Sequence, residues 1–155
     1  MIARALSEVA RRVEHIGSTS VVGLAAKPII DILLVVDDAG NESRYLPQLT
    51  TAGYVLRVRE PDWHEHRMLR TPERDVHLHV FSVGCEQIER HLLFRDRLRA
   101  SDGDRRRYEA LKQALAKQDW PDMNAYGAAK SELIEEIVGA ARGKRGCSNA
   151  CQSML

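Results

Sequence analysis

Apolar positions recur along this chain in two rhythms, one helical and one strand-like. Ile2, Leu6, Val9 and Val13 fall at helical spacing and predict an opening amphipathic helix. Val13 to Ile16 then reads as a short strand leading into the loop Gly17-Ser18-Thr19-Ser20. Val21 to Ala26 predicts one or two helical turns, stopped by Pro28 before a strand over Ile29–Val36. That strand is apolar except for Asp31. After the break Asp37-Asp38-Ala39-Gly40-Asn41, Glu42–Ala52 reads as a helix with Tyr45, Leu46 and Leu49 inward, ended by Gly53. Tyr54–Arg59 alternates as a strand, and Met68–Arg70 reads as another. The turn Thr71-Pro72-Glu73-Arg74-Asp75 leads into a strand over Val76–Val83.

Beyond Gly84 the rhythm becomes helical. Helices are expected over Glu86–Ala100, Asp104–Gln118 and Asn124–Arg142, with Ser101-Asp102 and Pro121-Asp122 as boundary signals. Residues 143–155 show no apolar periodicity and read as a disordered tail. Strands early and helices late predict one α+β domain over residues 1–142, with a small mixed sheet, helices packed against it and a helical C-terminal part.

Composition narrows the classes. A chain of 155 residues with 44% apolar content can build a core, and two Phe and two Trp make that core chiefly aliphatic. A net charge of +1 gives no global attraction to nucleic acid or to acidic membranes. The basic runs Arg95–Arg99 and Arg105–Arg107 alternate with acids on helices and read as solvated faces. Cys85, Cys147 and Cys151 form neither a disulfide framework nor a zinc site. The charged start is no signal peptide and no apolar run spans a bilayer, so the expected location is the cytoplasm.

The candidate chemistry gathers around the first loop. Small hydroxyl residues with exposed N–H groups suit a phosphate, which points to Gly17, Ser18, Thr19 and Ser20 as ligand-binding residues. A carboxylate on an apolar strand requires a partner or a ligand, which singles out Asp31. His77 and His79 share one face of their strand. With Asp31 they compose a two-histidine, one-carboxylate set suited to Zn²⁺, Mn²⁺ or Fe²⁺. The competing reading has both as half-buried sheet residues hydrogen-bonded to Asp31 or to the loop. His64-x-His66 is a second pair, placed in the Trp63 loop. Lys27 is either a point charge for a phosphate or a surface lysine. Arg95 either faces the same cleft or pairs with Asp96, and Tyr126 with Lys130 either meets a nucleobase or packs at a core edge.

The run His15-Ile16-Gly17-Ser18-Thr19-Ser20-Val21-Val22-Gly23-Leu24-Ala25-Ala26-Lys27-Pro28-Ile29-Ile30-Asp31-Ile32-Leu33 closely resembles the signature of GrpB-type proteins, a branch of the nucleotidyltransferase-like superfamily. The likeness continues in His77–Phe81, Phe94–Arg99, Tyr108–Lys112 and Tyr126–Lys130. It implies a glycine-serine turn holding a triphosphate and strand acids binding divalent metal, Mg²⁺ or Mn²⁺, with Zn²⁺ suited to the histidines. Here Asp31 is the single strand acid, because Ile29 and Leu33 are apolar, and His77 and His79 stand where a later acid is expected. The family also carries an N-terminal aromatic-proline element, and this chain starts inside that region. A similar domain is fused behind some bacterial dephospho-coenzyme A kinases, and this chain has no GxxxxGK[ST] loop.

The expected function is therefore a nucleotidyltransferase-like domain that binds a nucleotide or other phosphorylated small molecule, with weak or no transfer and Asp31 as its catalytic residue. The alternatives are a non-catalytic binding or folding module for a partner enzyme, or a metal-dependent phosphohydrolase built on Asp31, His77 and His79.

Overall fold

The structure is a computed structural model describing residues 2–6 and 8–151. Its strands are β1 (Arg12–Ile16), β2 (Ile30–Val36), β3 (Val55–Glu60), β4 (His66–Arg70) and β5 (Val76–Ser82). They form one mixed sheet in the order β1-β2-β5-β4-β3. Its helices are α1 (Ile2–Ala5), α2 (Leu46–Thr51), α3 (Glu86–Ala100), α4 (Asp102–Leu115) and α5 (Met123–Cys151). The α+β class and the mixed sheet are as expected. The chain divides into two compact units, residues 1–91 and 92–155.

In the first unit, β2 runs parallel to β5, while the other neighbours are antiparallel. The parallel register sets Asp31 beside His77 and Leu33 beside His79. Side chains alternate along a strand, so one sheet face carries Leu34, Val36, Leu69, Leu78 and Val80. These pack with Ile2, Leu6, Tyr45, Leu49 and Tyr54 into an aliphatic core. The Tyr45 hydroxyl inside it donates to the Ala39 carbonyl at 2.7 Å. At its rim Glu42 accepts from Arg59 and from the buried Arg67, each at 2.7 Å. These arginine hydrogen bonds, Arg59's foremost, hold the Glu42 carboxyl down to about 2 despite partial burial.

Three local expectations change. The opening helix is short, and Val13 reaches the core from β1 instead. The helix expected over residues 21–26 is replaced by a single 3₁₀ turn at Ser18–Ser20, and Gly23 at φ 81° prevents helical continuation. Residues 42–52 split into a 3₁₀ turn, Glu42–Arg44, and α2. Pro47 explains the split, since it has no N–H to donate to the Ser43 carbonyl four residues back and suits a helix start.

In the second unit α4 starts where the sequence signal placed it. Ser101 caps it, its hydroxyl accepting from the Asp104 N–H at 3.3 Å. Leu93, Val138 and Ala141 form a buried cluster in this unit, with Phe94 and Ile134 against them. Helix α5 includes residues 143–151 of the stretch read as a tail, and residues 152–155 lie outside the described residues.

Candidate functional site

Strand β1 ends at Ile16 and delivers Gly17 at φ 69°, a backbone geometry that side-chain-bearing residues adopt rarely. Its neighbourhood is equally restrictive. A Cβ on Gly17 would lie 2.3 Å from Asp31 Oδ2 and 3.0 Å from Asp31 Cβ. The loop backbone therefore rests directly on the Asp31 carboxylate, and glycine is required by conformation and by space at once.

The rest of the loop braces itself. The Ser20 hydroxyl donates to the Gly17 carbonyl at 2.6 Å, and the Thr19 hydroxyl donates to the Ile29 carbonyl at 3.0 Å. His15 Nε2 lies 3.0 Å from the Thr19 oxygen. The hydroxyls of Thr19 and Ser20 thus fix the loop's shape, and Ser20 is buried. Ser18 opens the turn half-exposed, and Lys27 is exposed on the stretch between loop and strand.

Across the parallel seam, His77 Nδ1 lies 3.5 Å and His79 Nε2 3.8 Å from Asp31 Oδ1. The proximity expected from the sequence is present. A closed ligand set is not: among the described residues no group of three or more His, Cys, Asp or Glu side chains is arranged to hold a metal ion. The donors do not by themselves fit a resident metal.

Two histidines outside the expected set join this face. His66 is the first residue of β4, and the strand begins there rather than at Met68. It is buried, with Nδ1 2.6 Å from Glu60 Oε2 and Nε2 3.1 Å from His79 Nδ1. Its ring stacks on Phe81 at 4.8 Å, lies nearly parallel to that of His79 at 5.3 Å between centroids, and Trp63 meets it edge-on. His91 on α3 approaches His79 at 6.3 Å and Phe81 at 6.0 Å between ring centroids. Burial, reinforced by His79, pushes His91 down to about 4, and burial also lowers His66 against the pull of Glu60. Both residues left a trace in the sequence. His66 continues the alternation of β4 backwards, and His91 stands three residues after Ile88 on the apolar stripe of α3.

Comparison with known proteins places this arrangement. The family model described as GrpB protein matches residues 1–140. The chain belongs to the GrpB family. It is 56% identical over 133 residues to a UPF0157 protein of Streptomyces coelicolor, covering 84% of this chain and 70% of that one. A crystal structure of conserved protein GrpB from Enterococcus faecalis superposes with a TM-score of 0.79 at 34% identity, covering 93% of this chain and 87% of that chain. A more distant likeness, 29% identical over 153 residues, is to a dephospho-CoA kinase of Mycolicibacterium paratuberculosis, covering 82% of this chain and 38% of that protein.

The remaining residues singled out in this GrpB-family chain lie in its second unit. Arg95 Nε donates to Asp96 Oδ1 at 2.8 Å, so Arg95 has the ion pair that competed with a ligand role. Lys130 Nζ sits 4.2 Å from the centre of the Tyr126 ring, a cation–π contact, and Trp120 meets that ring edge-on. Among the described residues no helix of the GrpB-family chain is long and apolar enough to cross a membrane.

Proposed function

We propose that this GrpB-family domain binds the phosphate end of a nucleotide, or of another phosphorylated small molecule, at the Gly17–Ser20 loop, with weak or no nucleotidyl transfer. The observation that carries the reading is the contact between Gly17 and Asp31, which makes loop and strand acid a single locus. Ser18 and Lys27 supply a donor and a cation toward the ligand, while Thr19 and Ser20 hold the loop in shape. In this proposal Arg95, Tyr126 and Lys130 serve the second unit's own packing before any ligand.

Weak transfer follows from charge. Two-metal phosphoryl chemistry clamps its ions between closely spaced carboxylates, and Asp31 is the one acid on β2. A divalent ion, Mg²⁺, Mn²⁺ or Zn²⁺, enters this proposal as a companion of the phosphate rather than as a resident of the protein. The same deficit favours a second reading, a non-catalytic module serving a partner enzyme. The phosphohydrolase reading lacks a metal-ligand set among the described residues.

A thermal-shift panel of nucleotides, run with and without each of the three ions, tests binding. Wild type should be stabilised by at least one nucleotide and Ser18→Trp by none; equal shifts in both would reduce the loop to a turn. Incorporation of labelled nucleotide tests transfer. Robust Mg²⁺-dependent transfer that Asp31→Asn abolishes would replace the binding reading with an enzyme.

A further inference from the structure

The chain of contacts Glu60–His66–His79–Asp31 has a direction that can be read from its donors and acceptors. A carboxylate only accepts, so the hydrogen in the 2.6 Å contact belongs to His66 Nδ1. His66 is buried against Phe81 and Trp63, surroundings that oppose a second proton on its ring. Its Nε2 is then an acceptor, and the hydrogen in the 3.1 Å contact belongs to His79 Nδ1. In a neutral ring the lone pair of His79 is then on Nε2, the atom 3.8 Å from Asp31 Oδ1. The separation exceeds a hydrogen bond, and both atoms are acceptors.

We infer that Glu60 and His66 form a positioning relay that fixes His79 with its Nε2 lone pair toward Asp31, so that the two make a seat for a hydrogen-bond donor of the ligand, an ammonium or a hydroxyl. An ammonium has N–H groups for both acceptors, whereas a hydroxyl satisfies one at a time. His77, 3.5 Å from the same carboxylate oxygen, lies beside the seat, and His91 approaches His79 from α3. The inference goes beyond phosphate binding and stands without it, because it concerns the ligand-free protein.

Ring-nitrogen NMR on uniformly ¹⁵N-labelled protein, at about pH 8 where ordinary histidines are neutral, tests it directly. In the wild type His79 should show a protonated Nδ1 and a bare Nε2. His66→Phe keeps an aromatic ring at this position but removes the acceptor, so the His79 proton should move to Nε2 and donate to Asp31. His66→Gln retains an acceptor oxygen and should preserve the wild-type pattern. A protonated Nε2 in wild-type His79, or the same pattern in all three proteins, would overturn the relay. Methylammonium and glycerol then probe the seat. A perturbation of the His79 Nε2 resonance severalfold larger than that at His64 is expected from at least one of them, and no such difference with either would overturn the donor site.

Discussion

Leu78 and His79 are adjacent on β5 yet project to opposite faces of the sheet. On the Leu78 side lie Leu34, Val36, Leu69 and Val80, closed over by α1, α2 and the aromatic ring of Tyr45. On the His79 side lie Asp31, His77, His66 and Phe81, with Glu60 and His91 reaching them. One face is held by apolar area, which has no direction. The other also buries Leu33, Val35 and Phe81, and adds a few polar contacts, each with a definite donor and acceptor. The difference separates stability from chemistry, and substitutions a single residue apart should divide along it.

The sharpest way to break the polar face is at its backbone support. Gly17→Val must accept a φ of 69° and displace the Asp31 carboxylate that its Cβ would meet at 2.3 Å. A loss of roughly 3–4 kcal/mol in urea unfolding is expected, larger than that of removing any one polar side chain on this face. Leu78→Ala, opening a cavity in the other face, should cost about 3 kcal/mol in the same measurement. His79→Ala should cost only about 1 kcal/mol, because it strands one hydrogen-bonding nitrogen and empties little volume. Equal costs at positions 78 and 79 would erase the contrast.

Acid titration gives a finer separation. His91 is held near 4 by burial, below its ordinary 6.5, so the unfolded chain binds the extra proton more readily. Stability is therefore lost as pH falls from 6.5 towards 4, on the order of 2–3 kcal/mol, and His91→Gln should flatten that window in pH-dependent urea midpoints. Glu42, held at about 2 by its arginines, stabilises above its ordinary 4.5 and loses that contribution as pH falls from there to about 2. Its share should be smaller, on the order of 1 kcal/mol after solvent screening, and Glu42→Gln should remove it without altering the His91 window.

The sequence displayed the apolar face more plainly than the polar one. Runs such as Ile30–Val36 and Val76–Ser82 reveal themselves because burial demands many like residues at a fixed period, and Asp31, His77 and His79 stood out as exceptions within them. The partners of those exceptions were harder to see. His66 and His91 are single residues on other elements, and only the β4 register and the approach of α3 bring them to His79. The contact of Gly17 with Asp31 was equally hidden, although the two already belonged to one conspicuous motif. Where the local reading failed, over residues 21–26 and 42–45, single Gly and Pro residues overruled helical spacing.

The parallel pairing of β2 with β5 has a consequence for how the molecule is made. Strands β1 and β2 pair with each other, and β3, β4 and β5 form a meander of sequence neighbours. The seam between the two pieces is the long-range closure, and loop-closure entropy penalises it more than the pairings on either side. Asp31 arrives on one edge of that seam, and His77 and His79 on the other. During synthesis the loop and its aspartate leave the ribosome well before the histidines do. The acid and the imidazoles meet only when β2 and β5 pair.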